Sequence, residues 1–250
     1  MTPSIDRDQP SQRADDRAGQ RNMLALLVGA TAAIIQCGLG EKTCTHVDNS
    51  SQLQAALADT SISTIVLGMG QFDSASPCQV TNSVTVPGVG VNGSKSGLCI
   101  TRDVTLLAST RARTALSVAS SEERVLYVAK SASVTIHGVD FSGGSASWGG
   151  SILNEGELRL TDFNIYRGQS VWGGGGLCNL GTASLLAGTI TRNKNKCSSS
   201  LPCVGGGGIA NGYEDGYHTV KGCKLGITGV VFEGNSAGAR SIPHPAPTRT

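Results

Sequence analysis

Four segments of this chain superimpose when their apolar residues are aligned: 134–141 (VTIHGVDF), 158–165 (LRLTDFNI), 183–190 (ASLLAGTI) and 225–232 (LGITGVVF). The first position holds Val134, Leu158, Ala183 and Leu225, and the third holds Ile136, Leu160, Leu185 and Ile227. The sixth holds Val139, Phe163, Gly188 and Val230, and the eighth holds Phe141, Ile165, Ile190 and Phe232. The steps are two, three and two. A step of two keeps side chains on one face of a strand, so each segment reads as two short strands with one extra residue at the bend between them. An amphipathic helix needs steps of three and four, which rejects helix here.

A second, glycine-rich element precedes each unit: 149–154 (GGSILN), 174–179 (GGGLCN) and 206–211 (GGGIAN). Each reads as a bend, a brief inward apolar residue and an asparagine. The earlier counterpart, 125–130, keeps Val128 but lacks the glycines and the asparagine. Unit starts lie 24, 25 and 42 residues apart. Three short strands per repeat describe a coil of a solenoid, whose inward apolar row stays wet until a neighbour stacks on it. The expected fold is all-β: a right-handed parallel β-helix over 41–240 with a short N-terminal capping helix. Asn154, Asn179 and Asn211 fall in register and should hydrogen-bond along the axis, as stacked asparagines do. Gly144, Gly168, Asn193 and Asn235 form a further column. Both residue types tolerate positive φ, so a left-handed bend is expected there, with Asn193 and Asn235 extending the ladder.

In the amino-terminal half, 47–72 reads as a helix over 52–58, opened by a capping box of Ser51 and Gln54, followed by a strand carrying Ile65 and Leu67. Val84, Val86, Val104 and Leu106 suggest irregular early coils. Residues 241–250 contain three prolines and cannot continue a ladder.

Residues 1–22 are polar, and 23–35 (MLALLVGATAAII) carry no charge. An apolar run of that length behind arginines fits a signal peptide, with Ala30-Thr31-Ala32 as a small-x-small cleavage site; uncleaved, 23–40 would act as a membrane anchor. The expected location is extracellular or at the cell surface, with membrane contact only through 23–40. Eight cysteines agree with an oxidising compartment. Disulfide candidates are Cys197 with Cys203, Cys178 with Cys223, and Cys78 with Cys99. There is no CxxC, and His46, His137, His218 and His244 are scattered, so no metal and no cofactor is expected. A net charge of +2 without a basic, aromatic-interleaved run excludes nucleic acid as the expected partner.

Candidate contact residues gather in two places. The loop 213–222 (YEDGYHTVKG) carries Tyr213, Glu214, Asp215, Tyr217 and His218. Trp148 and Trp172 stand 24 residues apart and should stack on one flank, where exposed tryptophans suit a sugar or a protein. Acids on the coils are few, and the paired carboxylates of glycoside hydrolysis are not visible. Asp140 and Asn164 share an outward position, and Arg159 with Asp162 reads as a surface pair.

The blocks GGSI (149–152), GGGL (174–177) and GGGI (206–209) resemble the GGA[ILV] half of the repeat in polymorphic outer-membrane proteins. Phe232-Glu233-Gly234-Asn235 resembles their FxxN half, and Ile190-Thr191-Arg192-Asn193 does so loosely. The resemblance covers about 120–240; residues 47–110 resemble the start of pectin-lyase-like β-helices. It implies cell-surface exposure and adhesion to a protein or polysaccharide. No membrane barrel follows Asn235, so autotransport is not carried over. The expected function is non-enzymatic, adhesin-like binding. The alternative is a polysaccharide lyase or hydrolase, which the same fold also hosts.

Overall fold

The computed structural model describes residues 37, 43–73, 77–80, 95–109, 114–118, 122–197, 205–214, 219–220 and 222–238. Among these the chain is mostly strand, with long parallel sheets and one helix, Ser50–Ala58. The predicted polar segment, apolar segment and Pro-rich tail lie outside the described residues, as do Val84 and Val86.

On successive circuits the chain visits four walls in turn. The first has seven parallel strands, from Cys44–Val47 and Thr64–Leu67 through Val104–Ala108, Ser133–His137, Glu157–Thr161 and Thr182–Leu186 to Lys224–Thr228. The second has six, from Gly70–Asp73 to Val231–Glu233. The third holds Ser145–Trp148, Gln169–Gly173, Lys194–Asn195 and Ser236–Ala237. The fourth runs in parallel from Lys95–Ile100 to Ile209–Asn211, with Cys78–Gln79 antiparallel at its edge. A regular coil therefore has four strands, one more than the repeat suggested. The third wall was missed because Lys194–Asn195 and Ser236–Ala237 have no apolar alternation to read.

The aligned columns are the observed register: Val134 beside Leu158, Ala183 and Leu225, and Phe141 beside Ile165, Ile190 and Phe232. The extra residue between the first and second walls takes positive φ on each of the four aligned coils: Gly138, Asp162, Ala187 and Gly229. A second left-handed column leads into the third wall at Gly143, Arg167, Arg192 and Gly234. That bend sits one residue before the column expected to hold it; among its neighbours only Gly144 also has positive φ. Gly188 breaks the apolar row for a steric reason. A Cβ there would lie 2.5 Å from Cε1 of Phe163 on the coil beneath, so the large ring and the missing side chain compensate each other.

The helix differs from expectation by two residues at its start. Asn49 is the N-cap and accepts from Gln52 N, while Gln52 Oε1 accepts from Asp48 N, a reciprocal pair that displaces the Ser51–Gln54 box. Its Leu53 and Ala56 are buried in the same core as Val47 and Ile65. At the other end Arg102 gathers the orphan carbonyls, donating to Ala56 O, Leu57 O, Asp59 O and Ile62 O at 2.6–3.0 Å.

Cys78–Cys99 forms as expected, and a second disulfide joins Cys37 to Cys44. Cys197 is disulfide-bonded, and Cys203 lies outside the described residues. Cys178 and Cys223 remain thiols, so the expected bridge between them is absent.

Candidate functional site

A column of asparagines runs along the stack, with Asn154 and Asn179 fully buried. Asn154 Nδ2 donates to Asn179 Oδ1 (2.7 Å), and Asn179 Nδ2 donates to Asn211 Oδ1 (2.6 Å). Each amide also ties down the bend into the first wall, Asn154 through Gly156 O and Thr182 O, Asn179 through Gly181 O and Lys224 O. The ladder begins at Asn154 because its partner on the preceding coil is Val128, which has no amide to offer. Asn154 Oδ1 is accordingly left without a donor. Asn193 and Asn235 form a second ladder, joined at 3.0 Å and bonded to Ile165 O and Ile190 O. Their side chains, rather than a left-handed backbone, explain the asparagines in that column. Both ladders are structural: a buried amide holding several partners fixes register and leaves little for a ligand.

The tryptophans are not exposed. Trp148 and Trp172 stack with centroids 6.3 Å apart and planes at 19°, but only 3% and 6% of each is accessible. They cover Leu153, Cys178 and Ala210, with Tyr127 packed alongside. In register, Tyr127, Leu153, Cys178 and Ala210 follow one residue after the inward row of Leu126, Ile152, Leu177 and Ile209, so they face away from the main core. The pair thus seals a second, smaller core on the outside of the fourth wall. A register shift between Ala146 and Trp148 sets Trp148 opposite Gly173 instead of Trp172, and the stagger lets the rings overlap.

Arg124 is wholly buried beneath this cover. Its Nη2 donates to Trp148 O (3.2 Å), its Nη1 makes a long 3.4 Å contact with Ser96 Oγ, and its Nε has no partner. Burial pulls its pKa down to about 10, so it stays charged at neutral pH. Burial pushes the Cys178 thiol up to about 12, so it stays protonated despite the nearby guanidinium. A thiol in that state is no nucleophile. Tyr127 is raised by burial and by the bond its hydroxyl donates to Glu155 Oε2 (2.8 Å). Arg124 and Cys178 are both wholly inaccessible to solvent.

Of the predicted contact loop, Tyr213–Glu214 pairs antiparallel with Thr219–Val220 in a small separate hairpin. Asp215, Tyr217 and His218 lie outside the described residues. On the second wall, Asn164 Nδ2 donates to Asp140 Oδ1 (2.9 Å) and Thr189 Oγ1 donates to Asn164 Oδ1 (2.5 Å), a polar line across three coils. Arg159 pairs with Glu157 at 2.7 Å rather than with Asp162; both partners are solvated, and such a pair contributes little. Among the described residues no group of three His, Cys, Asp or Glu could hold a metal, and no helix is long and apolar enough to cross a membrane.

The sequence did not single out the cations at the bend between the second and third walls. Arg167 and Arg192 occupy equivalent left-handed positions on successive coils, with φ of 61° and 55°. Lys194 lies beside Gln169 in register, and Lys196 follows it. All four side chains are exposed, and none forms an ion pair among the described residues. Strain alone does not mark the arginines as functional, because Ala187 adopts the same conformation at the neighbouring bend. What distinguishes them is the stacking of like charge on a rigid edge, where successive coils lie about 4.8 Å apart.

No family model, no curated protein and no solved structure matches this chain.

Proposed function

We propose that this protein is an exported, non-enzymatic β-helix of the right-handed kind, exposed at a cell surface or secreted, that adheres to an anionic glycan. The observation that carries the reading is the exposed ridge of Arg167, Arg192, Lys194 and Lys196, four cations on a rigid stack that form no ion pair among the described residues. A linear polymer bearing carboxylates or sulfates presents repeated charge that such a ridge engages without catalytic geometry. Right-handedness follows the rule for parallel connections, and the buried face of the helix 50–58 against the first strands supports its role as a cap. The likeness of the Gly-Gly-x-apolar and FxxN blocks to polymorphic outer-membrane repeats supports surface adhesion, and cysteine use with the apolar run 23–35 supports export.

The test is binding of the full chain to immobilised polyuronate and sulfated glycans, with neutral glucan as control. Binding should weaken severalfold from low to physiological salt, since exposed charges are screened over about 8 Å at 0.15 M. Arg167→Gln combined with Arg192→Gln should weaken it further. Equal binding to neutral glucan would overturn the reading. So would release of reducing ends from pectin-type polymers that Asp140→Ala abolishes, which would favour the lyase or hydrolase alternative.

A further inference from the structure

The last coil leaves its apolar residues uncovered. Ile227 and Phe232 are 43% and 47% exposed, whereas their register partners one coil earlier, Leu185 and Ile190, are 1% and 0% exposed. An open depression of about 490 Å³ lies over the coil, lined by Ile209, Leu225, Ile227 and Phe232 with the ends of both asparagine ladders, Asn211 and Asn235. Among the described residues no further strand pairs with Lys224–Thr228 or Val231–Glu233. An edge that is unpaired along its backbone and apolar on its inner side is a template for another chain.

The sequence of that edge says which chain fits. Lys224–Thr228 enters the bend at Gly229 and Val231–Glu233 leaves it. Counted outward from the Thr228–Gly229 peptide bond, the centre that sets inward residues opposite inward ones, Ile227 matches Val230, Gly226 matches Val231, Leu225 matches Phe232 and Lys224 matches Glu233. A two-fold axis through that bond, perpendicular to the stack, would lay the first-wall strand of one copy antiparallel on the second-wall strand of the other. Inward side chains remain inward under that operation. Leu225 then meets Phe232 of the second copy, Ile227 meets Val230, and Lys224 meets Glu233, each contact occurring twice. Neither Lys224 nor Glu233 has an ion pair within its own chain among the described residues.

We propose that the protein forms a two-fold dimer, end to end, through this last coil. The apolar matches supply the burial, and the Lys224–Glu233 match sets the antiparallel register and rejects a parallel one. The inference is independent of the glycan reading, since the basic ridge lies on the side of the stack and the dimer joins its end.

The test is sedimentation velocity on the full chain over a concentration series, with circular dichroism to confirm folding. The wild type should dimerise. Lys224→Glu alone, or Glu233→Lys alone, should weaken the dimer by about tenfold or more, because each places like charges opposite one another twice. Mixing the two single variants should form a heterodimer that neither forms by itself, and the double variant should recover self-association. Phe232→Lys should give a monomer. A wild type that is monomeric at every concentration would overturn the proposal, as expected if residues 239–250 or another protein cover the coil. So would a dimer indifferent to both charge reversals.

Discussion

At one end of the stack Leu53 and Ala56 of the helix are buried against the first strands, Arg102 holds the helix's carbonyls, and Cys37–Cys44 and Cys78–Cys99 tie down the adjoining chain. At the other end Ile227, Val231 and Phe232 face solvent and the strand edges carry no partner among the described residues. In the first and second walls every strand between the ends is paired on both sides, so the uncovered face belongs to the last coil alone. Stacking solves the burial problem for every coil except the outermost two, and each end needs its own device.

The contrast can be broken by making the same change at both ends. Leu53→Ala should cost about 3 kcal/mol, since it empties a closed site, whereas Ile227→Ala in dilute protein should cost below about 1 kcal/mol because the side chain is half exposed already. Urea unfolding midpoints check both, and equal losses would show that the last coil is closed in solution. Arg102→Met should cost about 2 kcal/mol, because the helix carbonyls it holds must find water or go unpaired; loss of hydrogen-exchange protection confined to 50–62 would locate the effect. Asn49→Ala should cost about 1 kcal/mol through loss of the N-cap, read from the same unfolding curves.

Acid gives the smallest effect, again at the helix-bearing end. Donors on Ser117 and Gln71 hold the Asp73 carboxyl below its ordinary 3.8, and Ser61 does the same for Asp59. A depressed carboxyl stabilises the fold above its unfolded pKa, and that contribution is lost as pH falls through the folded value. Protease susceptibility of this end should therefore rise below about pH 4, and Asp73→Asn should flatten that rise.

The inward columns were legible because a strand's period of two survives in the sequence, and the ladder of Asn154, Asn179 and Asn211 was legible because its asparagines stand at fixed distance from those columns. The tryptophans were misplaced for a related reason. Period tells which residues share a face, but whether that face meets water depends on what folds over it, and here the rings lie on Leu153 and Cys178. The second left-handed column was missed because Arg167 and Arg192 occupy it, side chains that no backbone preference would choose. Arg124 gave no signal, since a lone arginine in an irregular segment reads as surface.

Gly188 and Phe163 carry a lesson about change over time. The ring and the vacancy sit on adjacent circuits, so neither residue can drift by itself: growth at 188 collides, and shrinkage at 163 leaves a hole. Only a coordinated exchange preserves the fit. Circuits copied wholesale would duplicate one half of such a match against the wrong neighbour, which sets a limit on how freely this stack can lengthen by repetition.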